Sequence, residues 1–217
     1  MNQMNSPALS RTGSACGAVF ALVLFVAAGD GSQPFSGPRA VAGIAALTLA
    51  IPFLGYLATM LREAMEAGAG GWLATTALGS GIAWVALKLG SGAPELAIVK
   101  THVAAGSGLH AALRAIADGA TIISLYPLAV CCAAIAVLAF RSRALPRWLA
   151  VGAGITAVAL AVNGAVLQAT SIPAMLLFLL WTLLASGYLT IQAWRTPPAA
   201  HSVPAQAADA TETAMRA

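Results

Sequence analysis

Long apolar runs, separated by short polar stretches, organise this chain. Six can be traced, at about Gly13 to Gly29, Ala40 to Leu61, Trp72 to Leu89, Gly119 to Phe140, Trp148 to Leu167 and Ile172 to Trp194. Each approaches the ~20 apolar residues that a helix needs to cross a hydrocarbon core of about 30 Å. A bilayer offers the backbone no water, so its N–H and C=O groups must bond within the segment, which a helix achieves. The pattern predicts an all-α, polytopic membrane helix bundle of six transmembrane helices, in one membrane domain over residues 1–195. The first run has a second reading. Arg11, the apolar stretch and then Val26-Ala27-Ala28 also fit a signal peptide with a small-residue cleavage site, which would leave five spans.

Two segments lie outside the runs. The tail 196–217 is rich in Ala, Pro, Thr and Ser without periodicity, and is expected to be a disordered cytoplasmic tail. The connector 90–118 is expected on the extracytoplasmic side, with a helix start at Pro94-Glu95 and a break at Gly106-Ser107-Gly108. A second helix then runs into the fourth span. If residues 108–140 form one helix it is about 50 Å long, and roughly 20 Å of it must stand outside the core or be absorbed by tilt. Pro52 and Pro127 fall inside spans and free the carbonyls of Thr48 and Ile123, which reads as kinks that neighbouring helices satisfy. No repeat of 20–50 residues is visible, and the two halves lack the similarity of an inverted-repeat transporter.

Composition agrees with the pattern. Apolar residues make up 59% of the chain and charged residues 8%, with a mean hydropathy of +0.84, far from the roughly one-quarter charged content of soluble domains. The net charge of +4 would suit nucleic acid only if it were gathered into a stripe. Its carriers are scattered between the apolar runs, so no nucleic-acid partner is expected, and the charges speak to orientation instead. With the N-terminus inside, inner segments hold Arg11, Arg62, Arg141, Arg143, Arg147, Arg195 and Arg216, while outer segments hold Arg39, Lys88, Lys100 and Arg114. The loop RSRALPR, Arg141 to Arg147, is the strongest anchor. The expectation is a multi-pass protein of the cell membrane with both termini cytoplasmic. Cys16, Cys131 and Cys132 lie in apolar runs, where cysteine acts as a small hydrophobe, and they form neither a disulfide framework nor a CxxC pair.

The candidate chemistry is sparse. His110, Arg114 and Asp118 are spaced i, i+4, i+8 and share one helical face. They could form a polar cluster at the outer mouth of the bundle, binding an anionic headgroup through Arg114 or moving a proton through Asp118 and His110. The blander reading is an exposed Arg114–Asp118 pair worth about 0.3–0.5 kcal/mol, in the less favourable order. His102 and His110 could hold a metal or haem, but the glycine-serine break separates them and no further ligand completes a set. No metal and no cofactor are therefore expected. Gly152, Thr156 and Asn163 share a face of the fifth span, and Thr182, Ser186 and Thr190 share one of the sixth. Such residues let membrane helices approach closely and bond across. Asn163 is the fourth candidate, because its amide needs partners that a hydroxyl bonded to its own backbone does not. Glu63 and Glu66 beside Arg62 read as a solvated turn, and Tyr126, Trp148, Trp181 and Trp194 as packing or interfacial anchors. The chain has no HExxH, GxxxxGK[ST], GxSxG or dinucleotide fingerprint.

The order of features in the second half is distinctive. Asp118 enters a span, Pro127 interrupts it, the charged turn FRSRALPRWL follows from Phe140 to Leu149, and a Gly/Ala-rich span comes next. This order resembles the bacterial membrane proteins grouped as domain of unknown function 4386, mainly over residues 110–195. The resemblance implies six spans and no assigned activity. From the residues, the leading expectation is a non-catalytic integral membrane protein with a polar ligand or partner site at the outer end of the fourth span. Its partners would be membrane lipids, a second copy of the chain or another membrane protein. The alternatives are a membrane-embedded enzyme acting on a lipid or isoprenoid, which needs Asp118 in a dead-end cavity, and a small transporter or transporter subunit, which needs a polar path past Asn163.

Overall fold

A computed structural model describes residues 7–28, 37–65, 71–167 and 172–195. The helices are α1 (Pro7–Ala28), α2 (Gly37–Glu63), α3 (Gly71–Lys100), α4 (Gly108–Ser142), α5 (Arg147–Val162, extended by a π-helical turn Asn163–Leu167) and α6 (Ile172–Arg195). Among the described residues there is no strand. Five helices, α2 to α6, are long and apolar enough to cross a membrane, and α1 contributes a shorter apolar stretch, Thr12–Val26. The chain is thus an integral membrane helix bundle. The segment 196–217 and Glu66 lie outside the described residues.

Each helix packs on the next in sequence, and α1 closes the ring against α6. The register is antiparallel throughout. Phe20 meets Phe178 across α1 and α6 while Ser14 meets Ser186, and Gly154 lies against Ala136 while Gly164 lies against Tyr126 across α5 and α4. One end of the ring therefore gathers Arg62, Arg141, Arg143, Arg147 and Arg195. The buried residues form two layers. Nearer the arginine end lie Leu57, Leu61, Leu138, Leu149, Ala153 and Ala185. Toward the other end lie Leu128 and Leu160 with Phe20, Trp84 and Phe178, whose rings meet edge-on at 5.5–6.2 Å, a favoured aromatic geometry. Small residues set the spacing: a methyl at Gly17 would overlap the Phe53 ring, and one at Gly81 would lie 2.6 Å from Leu54 Cδ1. Large apolar side chains such as Val41, Ile123, Val158 and Leu180 cover the outside, as expected where the solvent is lipid.

α3 and α4 differ from the rest in length, with 30 and 35 residues, or about 45 and 52 Å. Their shared end overshoots α5 and α6 by several turns, while α2, set by Gly81 against Leu54, reaches almost as far as α3. Here one local expectation gives way: α3 does not restart at Pro94 but runs through it to Lys100. The proline removes one backbone donor, and the continuous packing of α3 on α4 outweighs that one lost bond. Pro52 and Pro127 likewise sit inside unbroken helices. The turn between α3 and α4 is closed by His102 and Gly106 at positive φ, 49° and 87°, and by Ser107, whose Oγ accepts from His110 N at 3.2 Å as the N-cap of α4.

Candidate functional site at the α3 and α4 seam

The register of the seam follows from two contacts. Gly81 of α3 lies against Cys131 of α4, and Lys88 lies beside Thr121, with Nζ donating to Oγ1 at 3.2 Å. Continued outward at equal rise, this register sets Ser91 level with Asp118 and Glu95 level with Arg114. The charges are thus ordered crosswise, cation then anion on α3 and anion then cation on α4. Glu95 and Asp118 are the carboxylates that attract the Lys88 ammonium.

Lys88 is half-buried, sixteen residues along α3 from Trp72 at the arginine end, or about 24 Å. That depth falls in the far third of a core of about 30 Å, within reach of the interface for a snorkelling lysine. Its surroundings are polar but mostly occupied. The hydroxyl of Ser91 donates to Lys88 O and that of Ser124 to Thr121 O, each at 2.7 Å. One turn deeper on α3, Trp84 is fully buried and its indole N–H has no acceptor among the described residues. Four candidates named from the sequence distribute differently. His110 is half-buried on the outer part of the seam, while Arg114 and Asp118 are exposed on its flank, because Ala117 is the residue that turns inward there. Among the described residues neither Arg114 nor Asp118 has an ion-pair partner.

Asn163 belongs elsewhere. It is buried at the first residue of the π-helical turn, and its neighbour Gly164 packs on Tyr126 of α4. Tyr126 is sixteen residues from His110, about 24 Å along α4, so Asn163 and the His110 face do not form one site. The hydroxyl faces divide as well. Thr156 and Thr182 bond to carbonyls of their own helices, whereas Ser186 donates to Ser14 O and Thr190 Oγ1 meets Ser14 Oγ at 3.2 Å, joining α6 to α1. Trp181 is a packing residue, buried and donating to Leu149 O of α5 at 2.9 Å. Trp148 and Trp194 are exposed near the arginine end, as interfacial anchors are. No group of three or more potential metal ligands occurs among the described residues.

Sequence reasoning assigned Lys88 to an outer segment and so missed it. The signal that could have found it is Trp84, Lys88 and Ser91 at steps of four and three, one helical face carried straight through Gly90-Ser91-Gly92. No family model matches the chain, and no curated protein or solved structure matches it.

Proposed function

We propose that this chain is a non-catalytic protein of the cell membrane, with both termini cytoplasmic, whose α3–α4 hairpin stands on the external side and binds an anionic group of a ligand or partner along its seam. The observation that carries this reading is Lys88, a cation kept inside a spanning helix with one hydroxyl bond and the attraction of two partly or fully exposed carboxylates, Glu95 and Asp118, to offset its burial. A lysine at a span's centre costs about 2.5–3.5 kcal/mol on insertion scales, and roughly half of that at the depth of Lys88, while a single hydrogen bond returns only ~1 kcal/mol. Such a residue is ill-chosen for stability and well chosen for binding charge. His110, Arg114 and Asp118 then line the approach, the two exposed charges steering and sorting what reaches Lys88. Arginines gathered at the opposite end support the orientation, and the resemblance to domain of unknown function 4386 enters the same proposal, adding architecture and no activity.

The exposure of Asp118 favours binding over a lipid or isoprenoid enzyme, which needs that carboxylate enclosed. A transport path ranks lower because the buried hydroxyls between Asn163 and the arginine end, Thr156, Thr182 and Ser186, are each bonded to a backbone carbonyl, and Leu160, Ala157, Ala153 and Leu149 lie among them. Native mass spectrometry of the full chain, released gently from its membrane, tests the proposal. A discrete adduct on the wild type that Lys88→Leu loses and Lys88→Arg keeps is the expected result. The same adducts on all three proteins, or none on any, would overturn it. Reporter fusions after Arg147 and after Ser171 are expected to report the inside and the outside, and the reverse pair would refute the orientation.

A further inference from the structure

At the end of the bundle opposite the Lys88 seam, the α4–α5 turn encloses an open cleft of about 630 Å³, within the roughly 300–1,000 Å³ of small-molecule sites. Its lining is of two kinds. Phe140, Leu145 and Pro146 form an apolar wall, and Arg143 and Arg147 supply two guanidinium groups, with no carboxylate among the lining residues. The backbone contributes positive partial charge only at the α5 side of the turn, where a helix begins, the α4 C-terminus carrying the opposite sign. Arg143 is the C-cap of α4 in the left-handed region, φ 54°, with its N–H bonded to Ala139 O. Arg147 opens α5, a helix of 16 residues whose N-cap, Pro146, provides no side-chain acceptor, so the N–H groups of Arg147 and Trp148 face the same end, that of Leu149 being bonded to Pro146 O. Nearby, Trp148 is exposed and meets Tyr188 edge-on at 6.4 Å, the amphipathic aromatic placement typical of a membrane–water boundary.

We infer that this cleft binds the phosphate of an anionic phospholipid headgroup, the two arginines holding the phosphate oxygens and the apolar wall lying along the start of the acyl chains. A basic pocket between spanning helices at the boundary of the bilayer has the chemistry that anionic headgroups recognise, and the planar fork of arginine suits phosphate better than lysine does. The same chemistry would accept inorganic phosphate, so the source must be separated by experiment. This inference is independent of the reading of the α3–α4 seam.

The test is native mass spectrometry of the detergent-purified full chain, titrated with phosphatidylglycerol, with phosphatidylcholine of the same acyl chains, and with inorganic phosphate. The expected result is retention of phosphatidylglycerol about tenfold above phosphatidylcholine, falling about tenfold in Arg143→Gly combined with Arg147→Gln. Glycine suits the positive φ of residue 143, so Arg143→Gly is expected to keep or raise the melting temperature, and Arg143→Gly alone carries the test if the double variant does not fold. Lys88→Leu is expected to leave lipid retention unchanged, which separates this site from the seam. Inorganic phosphate that binds with the same arginine dependence and displaces the lipid would keep the anion site and reassign its source. Equal retention of the two lipids with no phosphate bound, or arginine variants that bind like the wild type, would overturn the inference.

Discussion

Replacing Lys88 by leucine separates a residue kept for binding from one kept for folding. At the centre of a span the exchange would favour the variant by roughly 3–4 kcal/mol on insertion scales. Lys88 lies about 24 Å along α3 from Trp72 and can lift its ammonium toward the interface, so half of that gain, about 1.5–2 kcal/mol, is the upper figure for this depth. Against it stand the bond to Thr121 Oγ1, worth about 1 kcal/mol, and the solvent-screened attraction of part-exposed Glu95 and exposed Asp118, which adds little. Thr121 is not stranded by the loss, since threonines elsewhere in the bundle turn their hydroxyls to a carbonyl one turn back, as Thr59 does to Gly55 O and Thr76 to Trp72 O. The net expectation is a variant as stable as the wild type or more so, by up to about 1 kcal/mol. Equilibrium unfolding in mixed micelles, followed by far-UV circular dichroism, measures this directly. A loss of more than about 1 kcal/mol would refute the reasoning and make Lys88, with Glu95 and Asp118, a structural clamp on the α3–α4 hairpin.

Three further outcomes follow from the packing. Gly17→Val forces a branched side chain into the Phe53 ring and is expected to destabilise by about 1–3 kcal/mol in the same unfolding assay; a neutral result would mean that α1 is not seated on α2 as described. Ser186→Ala removes the hydroxyl that joins α6 to Ser14 of α1 and is expected to cost about 0.6 kcal/mol, with the loss absent when Ser186→Ala is made in a chain lacking α1. Cys131 and Cys132 are 1% exposed and Cys16 partly so, so a bulky maleimide is expected to leave both α4 thiols unlabelled in the folded protein and to modify them once it is unfolded, read by intact mass.

The sequence by itself determined that the chain is a helical membrane bundle and roughly where its spans lie, because a bilayer demands some twenty apolar residues per crossing and leaves the backbone no alternative to a helix. The same reasoning carried the long fourth helix, since nothing between Gly108 and Ser142 offers the backbone a better arrangement. Local signals failed where packing between helices outweighs them. Pro94 with its flanking glycines reads as a break, yet α3 passes through it because its partner α4 continues alongside. Lys88 reads as the polar margin of a span, and only the register of α3 on α4 sets it beside Thr121. His110, Arg114 and Asp118 share a face by spacing alone, but which way that face turns depends on the rotation of α4 against α3, and Ala117 takes the inward position. Helical periodicity says which residues lie together on one helix; which of them are enclosed is decided by what the neighbouring helix brings opposite, and that is information no single segment contains.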